Sequence, residues 1–233
     1  MREALGFLTV LGGAATPTPR ALRWFPVVGI VVGALVGLIW WATGEVLVAL
    51  PAAVCAVGAD LAVTGMLHVD GLADAGDGLL PHADRERRLR VMREPGIGAY
   101  GVTVVAFVLL ARVAGFVALS PSIALVVALW CASRTVAAVA PAWLVYARDE
   151  GLATTMLATP ATRWIVVGLP VAGAIGWLAT GVGGLVGVVG VVVASVVVLA
   201  LARARIGGFT GDVLGAAIIV GETVGLLVAG ARW

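Results

Sequence analysis

The sequence predicts an all-α protein, a polytopic transmembrane helical bundle of about seven spans with its N-terminus in the cytoplasm. Three observations predict it. The 233 residues are 61% hydrophobic and 12% charged, with a mean hydropathy of +1.11, whereas soluble domains carry about 25% charged and about 45–50% apolar residues. The apolar residues gather into segments near the length of about 20 that a membrane-crossing helix needs. The arginines between those segments fall almost entirely on one side. The same composition excludes a disordered chain, which is apolar-poor and charge-rich. A net charge of +2 gives nucleic acid no electrostatic footprint.

Residues 5–15 are apolar but too short to cross, and suit the interface or a re-entrant turn. The start MREALGFLTVLGG lacks a small-x-small cleavage site and reads as mature protein. Phe25–Thr43 and Val46–Leu67 are the first two spans, joined by Gly-Glu. Ala99–Leu119 and Ile123–Ala147 follow, separated by Ser-Pro-Ser. Trp164–Thr180 and Gly183–Ala202 form a third close pair, and Phe209–Ala231 is the last. Residues 1–233 therefore read as one integral-membrane domain with cytoplasmic active-site loops at 68–98, 148–163 and 203–212. Cys55 and Cys131 lie in apolar runs without metal or disulfide spacing.

All fifteen basic residues are Arg. Twelve fall on one side of the predicted spans: Arg2, Arg20, Arg23, Arg85, Arg87, Arg88, Arg90, Arg93, Arg148, Arg163, Arg203 and Arg205. Only Arg232 falls on the other, so the positive-inside rule places the N-terminus and the chemically rich loops in the cytoplasm. Arg112 and Arg134 lie inside spans, where such residues face the bundle interior and pair with acids. Asp60 and Glu222 are the acids within reach; internal ion pairs and a substrate contact are the two readings open for these arginines.

The segment HVDGLADAGDG, His68–Gly78, carries the chemistry. On a helix at about 100° per residue, Asp70, Asp74 and Asp77 fall within about 60° of one another, and an unbroken second span brings Asp60 close to the same face. Like charges at this spacing destabilise a helix, which makes sense if a divalent cation neutralises them. An all-oxygen site without sulfur suits Mg²⁺, which commonly bridges substrate phosphates and supports phosphoryl transfer. The plain alternative is a solvated acidic cap. His68 is read either as a general base or as a structural hydrogen-bonding residue.

Downstream, RERRLRVMREPGIGAYG holds an arginine cluster that doubles as a membrane anchor. Arg93 stands apart, because Gly96 and Gly98 follow it at the entry to the third span; a helix N-terminus with a Gly loop and an Arg suits a phosphate. At the entry to the last span, GGFTGDVLGA places Asp212 either as a helix-start acid or as a further ligand from across the bundle.

These segments together resemble the cobalamin synthase family, the adenosylcobinamide-GDP ribazoletransferases. The likeness rests on His68-Val69-Asp70-Gly71-Leu72-Ala73-Asp74 with Asp77-Gly78, and on VMREPGIGAYG. It extends through SRTVAAVAPAWLVYARDEGLA from Ser133, TGDVLGA, and Trp24-Phe25-Pro26, in order over nearly the whole chain. Two segments depart: FLTVLGGAATP lacks the Arg and nearby Pro of a Phe-Leu-Thr-Arg-Leu-Pro start, and Glu94-Pro95 stands where Asp-Ser is common. The resemblance implies attack of a ribose hydroxyl of alpha-ribazole, or of its 5'-phosphate, on the cobinamide-side phosphorus of adenosylcobinamide-GDP. GMP leaves and adenosylcobalamin, or its phosphate, forms, with Mg²⁺ required. On this reading Asp70, Asp74, Asp77 and Asp212 are metal ligands; His68, the three helix carboxylates and Arg93 are catalytic; and Arg93, Gly96, Gly98, Arg134, Arg148 and Asp212 bind substrate. The expected partners are the two substrates, the lipid bilayer, a homo-oligomer and other corrinoid-pathway enzymes.

Two alternatives belong to other classes. A CDP-alcohol phosphotransferase also sets Asp residues at a membrane edge, but Ala73-Asp74 stands where its motif has Ala-Arg, and its D-x-x-x-D tail is absent. A transporter would line a path with Asp60, Arg112, Arg134 and Glu222 and would show internal repeats.

Overall fold

A computed structural model describes residues 1–13, 18–148 and 167–232. Long apolar runs leave the backbone one way to satisfy its polar groups in lipid within a single segment, the α-helix, which there tolerates glycine. Among the described residues there are helices and no strand. They are α1 (Arg2–Leu8), α2 (Phe25–Gly44), α3 (Ala49–Thr64), α4 (Leu67–Leu79), α5 (Arg85–Val91), α6 (Ala99–Val117), α7 (Ile123–Val139), α8 (Gly168–Thr180), α9 (Val182–Ile206) and α10 (Gly211–Ala229). Short 3₁₀ turns at Val10–Gly12, Pro19–Trp24 and Ala140–Ala142 link them.

Five of these helices are long and apolar enough to cross a membrane, and α3 with α4 makes a sixth if the bent pair counts as one span. The chain is thus a membrane protein. The short α8 stands where the fifth of the seven spans is expected; that span's expected start, Trp164, lies outside the described residues, as do Arg163 and most of the expected 148–163 loop.

The expected second span, Val46–Leu67, is not continuous. Helix α3 stops at Thr64, Gly65 and Met66 both take left-handed conformations (φ 57° and 59°), and α4 leaves at 90°. The expected fourth span also ends early, because Pro141 closes α7 into a 3₁₀ turn. The apolar stretch at the N-terminus becomes α1 and a 3₁₀ turn.

Helix packing follows the small residues. Gly29, Gly33 and Gly37 repeat every fourth residue on α2 and lie against α7, where a Cβ at Gly33 or Gly37 would stand 2.9 Å from a Cα of α7. Such small-residue stripes let backbones approach where lipid supplies no hydrophobic drive between helices.

The bundle centre holds a charge-balanced network. Arg112 on α6 donates from Nη2 to Asp60 Oδ2 on α3 (2.8 Å) and to Glu222 Oε2 on α10 (2.7 Å). Trp130 Nε1 on α7 donates to Asp60 Oδ1 (2.8 Å), and the Arg112 guanidinium lies 4.6 Å from the Trp130 ring centroid. Arg134 pairs with Glu222, and Ser133 Oγ donates to Glu222 (2.8 Å). Two arginines and two acids, all buried, tie four helices together. The ion-pair reading of Arg112 and Arg134 therefore holds, and the four charges that a transport path would need neutralise one another.

Helix α4 takes a different course from the spans. It crosses the N-terminal ends of α6 and α10: Gly76 packs on Gly101, and Gly71 on the Asp212 backbone, with 2.8 Å between an added Cβ and Asp212 O. Its 13 residues, three of them Asp, lie across one end of the bundle, at 90° to α3.

Candidate active site

The i, i+4, i+7 spacing on α4 survives folding, but the three carboxylates face different partners. Asp77 turns to α6, where its Oδ2 and Oδ1 accept the Gly98 (2.6 Å) and Gly101 (2.9 Å) amides. Asp77 thus caps α6, filling the donors that the sequence suggested for a phosphate at Gly98. Asp77→Ala is expected to lower stability by about 1–2 kcal/mol, the usual worth of an N-terminal cap, read as a lower melting temperature in detergent. Gly96 and Gly98 line, with Arg87 and Tyr100, an open cleft of about 600 Å³ on this side of α4.

Asp74, half-buried, lies near Asp212 and Asp70. Burial, with the charges of Asp212 and Asp70 nearby, pushes its carboxyl from 3.8 up to about 6, against the opposing pull of Arg148. Because the folded-state value lies above the unfolded one, ionisation of Asp74 favours unfolding. Without a divalent cation, thermal stability is expected to fall as pH rises from 3.8 to about 6, and Asp74→Asn is expected to flatten that part of the profile.

Asp212 arrives from 64 residues beyond Arg148, and the backbone explains how. Segment 145–148 pairs with 207–209: Phe209 N–H donates to Val145 O (3.0 Å) and Ala147 N–H to Phe209 O (2.9 Å). Gly208 is required there, because an added Cβ would run into Val145 O. Thr210 caps α10 through the Val213 amide and donates to Asp212 Oδ2 (3.2 Å). Arg148 Nη2 then reaches Asp212 Oδ2 at 2.8 Å and Met92 O at 3.2 Å. Among the described residues its buried Nε has no partner.

Two arginines first read as anchors act as clamps. Arg85 donates to Ile206 O and Ala147 O, both at 2.9 Å, tying α5 to this pairing. Buried Arg88 donates to Gly78 O (2.9 Å) and Leu79 O (2.7 Å) and closes the C-terminal end of α4. Their exposed neighbour Arg93 lines a basic cleft of about 340 Å³ with Arg85, Arg90 and Arg148. Arg134, expected to touch substrate, is placed otherwise: it is fully buried in its pair with Glu222. Asp60, expected near the acidic face, is turned into the core by the break at Gly65–Met66. His68 is buried, and its Nε2 has no partner among the described residues.

The site is therefore a ridge of Asp70, Asp74 and Asp212, with Arg148 joining it to the basic cleft. Its donors are all carboxylate oxygens, crowded enough to hold Asp74 protonated well above the usual range. Among the described residues no three His, Cys, Asp or Glu side chains converge as a ready-made metal cage. That combination suits Mg²⁺, which is typically held by one or two carboxylates together with substrate phosphates and water.

The profile of the cobalamin-5-phosphate synthase family matches residues 1–230. The chain belongs to this family. An adenosylcobinamide-GDP ribazoletransferase of Bradyrhizobium diazoefficiens is 36% identical over 99% of this chain and 93% of its own length. Proteins of the same name from Shigella boydii and Escherichia coli K12 are 34% and 35% identical over 89% of this chain and 86% of theirs. No solved structure matches. The ridge residues, with Arg93 and Arg148 of the cleft, fall on the segments that carry the sequence resemblance, His68–Gly78, Val91–Gly101, Ser133–Arg148 and Thr210–Ala216, whereas Arg85 and Arg90 of the cleft lie between them.

Proposed function

We propose that the chain is an adenosylcobinamide-GDP ribazoletransferase that works with Mg²⁺ on the cytoplasmic face of the cell membrane. It joins alpha-ribazole, or its 5'-phosphate, to adenosylcobinamide-GDP and releases GMP. Membership of the synthase family and the names of the relatives support the reaction; the arginine asymmetry supports the cytoplasmic side. One observation carries the mechanism: Arg148 lines the basic cleft and pairs with Asp212 on the carboxylate ridge, so phosphate-binding and carboxylate groups adjoin.

One or two of Asp70, Asp74 and Asp212, together with substrate phosphate and water, would hold the ion. Bound there, Mg²⁺ would offset phosphate charge as it builds in the transition state. Arg93 and Arg148 bind the pyrophosphate through charge-assisted hydrogen bonds, and the always-charged guanidinium of Arg93 favours departure of GMP. Asp70, exposed at the edge of the ridge, accepts the proton of the attacking ribose hydroxyl. Asp77, committed to α6, positions the ridge. The test offers the protein in bilayers two substrate pairs. GDP-cobinamide with alpha-ribazole is expected to yield a cobalamin, and CDP-diacylglycerol with a lipid alcohol to yield nothing. The reverse outcome would transfer the chain to the CDP-alcohol class.

A further inference from the structure

Beside the carboxylate ridge lies a separate cavity of about 180 Å³, between α4, α10, the N-terminal helices and segment 146–148. Phe7, Phe25, Leu214 and Ile218 supply apolar walls, and the Phe7 and Phe25 rings stack with centroids 6.1 Å apart. Its lining runs from buried to open. Phe25, Ile218 and His68 are at most 3% exposed, whereas Asp70 is exposed and Asp212 and Arg148 are partly so. The floor is thus apolar with one imidazole, and the rim is the catalytic ridge. Arg148 lines this cavity and the basic cleft alike, so it stands between the two.

The chemistry narrows the occupant. A phosphate or sugar would lose its hydrogen bonds against phenylalanine and leucine. An acyl chain would leave the unpartnered His68 nitrogen as it is. A flat heteroaromatic ring has apolar faces for the walls and a bare edge nitrogen for an imidazole N–H. The size agrees, since apolar cavities of about 150 Å³ hold a benzene ring.

We propose that this cavity seats the heteroaromatic base of the acceptor nucleoside, a bicyclic ring of the benzimidazole class, with His68 donating to its free ring nitrogen. Seated so, the base leaves its ribose at the rim, between Asp70 and Asp212, facing the phosphates in the basic cleft. The backbone contact of Gly71 and Gly215 between α4 and α10 sets the cavity wall. The proposal rests on the ribazoletransferase reading and adds where, and by what, the acceptor is recognised.

The test uses the full-length protein in bilayers with alpha-ribazole, GDP-cobinamide and free benzimidazole. In the unsubstituted protein, benzimidazole is expected to inhibit competitively against alpha-ribazole and not against GDP-cobinamide. Leu214→Trp, which fills the cavity, is expected to raise KM for alpha-ribazole at least tenfold, with KM for GDP-cobinamide within twofold of the original. That unchanged second KM also shows that the variant is folded. His68→Gln is expected to raise KM for alpha-ribazole but not for an indole riboside, which lacks the free ring nitrogen. Absence of competition by benzimidazole, or an unchanged alpha-ribazole KM in active Leu214→Trp, overturns the base seat while leaving the reaction intact. An unsubstituted protein that makes no cobalamin overturns the ribazoletransferase reading itself.

Discussion

Asp74→Asn is expected to reduce cobalamin formation by about 100-fold or more while leaving the protein at least as stable as before. The two halves of that result have one cause. Asp74 sits where burial and two neighbouring carboxylates resist its ionisation, so the neutral amide relieves strain in the cation-free fold. The same amide is a poor Mg²⁺ ligand and cannot offset charge beside the pyrophosphate, and losing one such preorganised electrostatic group typically costs about 10²–10³ in rate. Opposite movements of activity and stability mark a residue kept for function at the expense of the fold. The pair of measurements is turnover at saturating substrates and a melting curve without Mg²⁺. A variant that melts earlier and still turns over normally would mean that Asp74 is structural.

The second large effect lies in the bundle core. Arg112→Leu leaves Asp60 and Glu222 buried without their shared guanidinium. Breaking a buried pair by removing one partner costs about 3–5 kcal/mol, a large part of any domain's stability. The variant is expected to accumulate poorly in membranes and to melt well below the parent. Arg112→Lys is expected to recover only part of the loss, because an ammonium at the Nη2 position lacks the Nη1 contacts to Ile219 O and Thr223 Oγ1 and the planar face that lies over the Trp130 ring. Normal yield and melting of Arg112→Leu would show that the network contributes little.

Much of this architecture was legible in the sequence, for a physical reason: lipid forces helices, and apolar length with arginine placement then marks their ends. The acidic face was legible because Asp70, Asp74 and Asp77 are local neighbours on one helix. Contacts distant in the chain were not. No periodicity announces that Phe209 pairs with Val145 and so sets Arg148 against Asp212. The left-handed turn at Met66 also left no signal, since a non-glycine residue there is unfavourable on its own. That turn removes Asp60 from the acidic face and gives it to Arg112. Arg85 and Arg88 were read only through their charge. Their carbonyl partners, Ile206 and Ala147 for Arg85 and Gly78 and Leu79 for Arg88, are backbone atoms that composition does not reveal. Asp77 shares the helical face of Asp70 and Asp74, and nothing local in the sequence shows that its carboxylate accepts the free amides at the start of α6.

The proposed reaction is metal-assisted transfer onto GDP-activated cobinamide at the ridge of Asp70, Asp74 and Asp212. Its most direct test is to purify the protein into bilayers, supply GDP-cobinamide and alpha-ribazole, and follow cobalamin and GMP together across a Mg²⁺ titration. Equal amounts of the two products are expected, with formation that rises with Mg²⁺ and none in excess EDTA. Undiminished product in EDTA would contradict the metal's role, and GMP release without cobalamin would contradict the transfer.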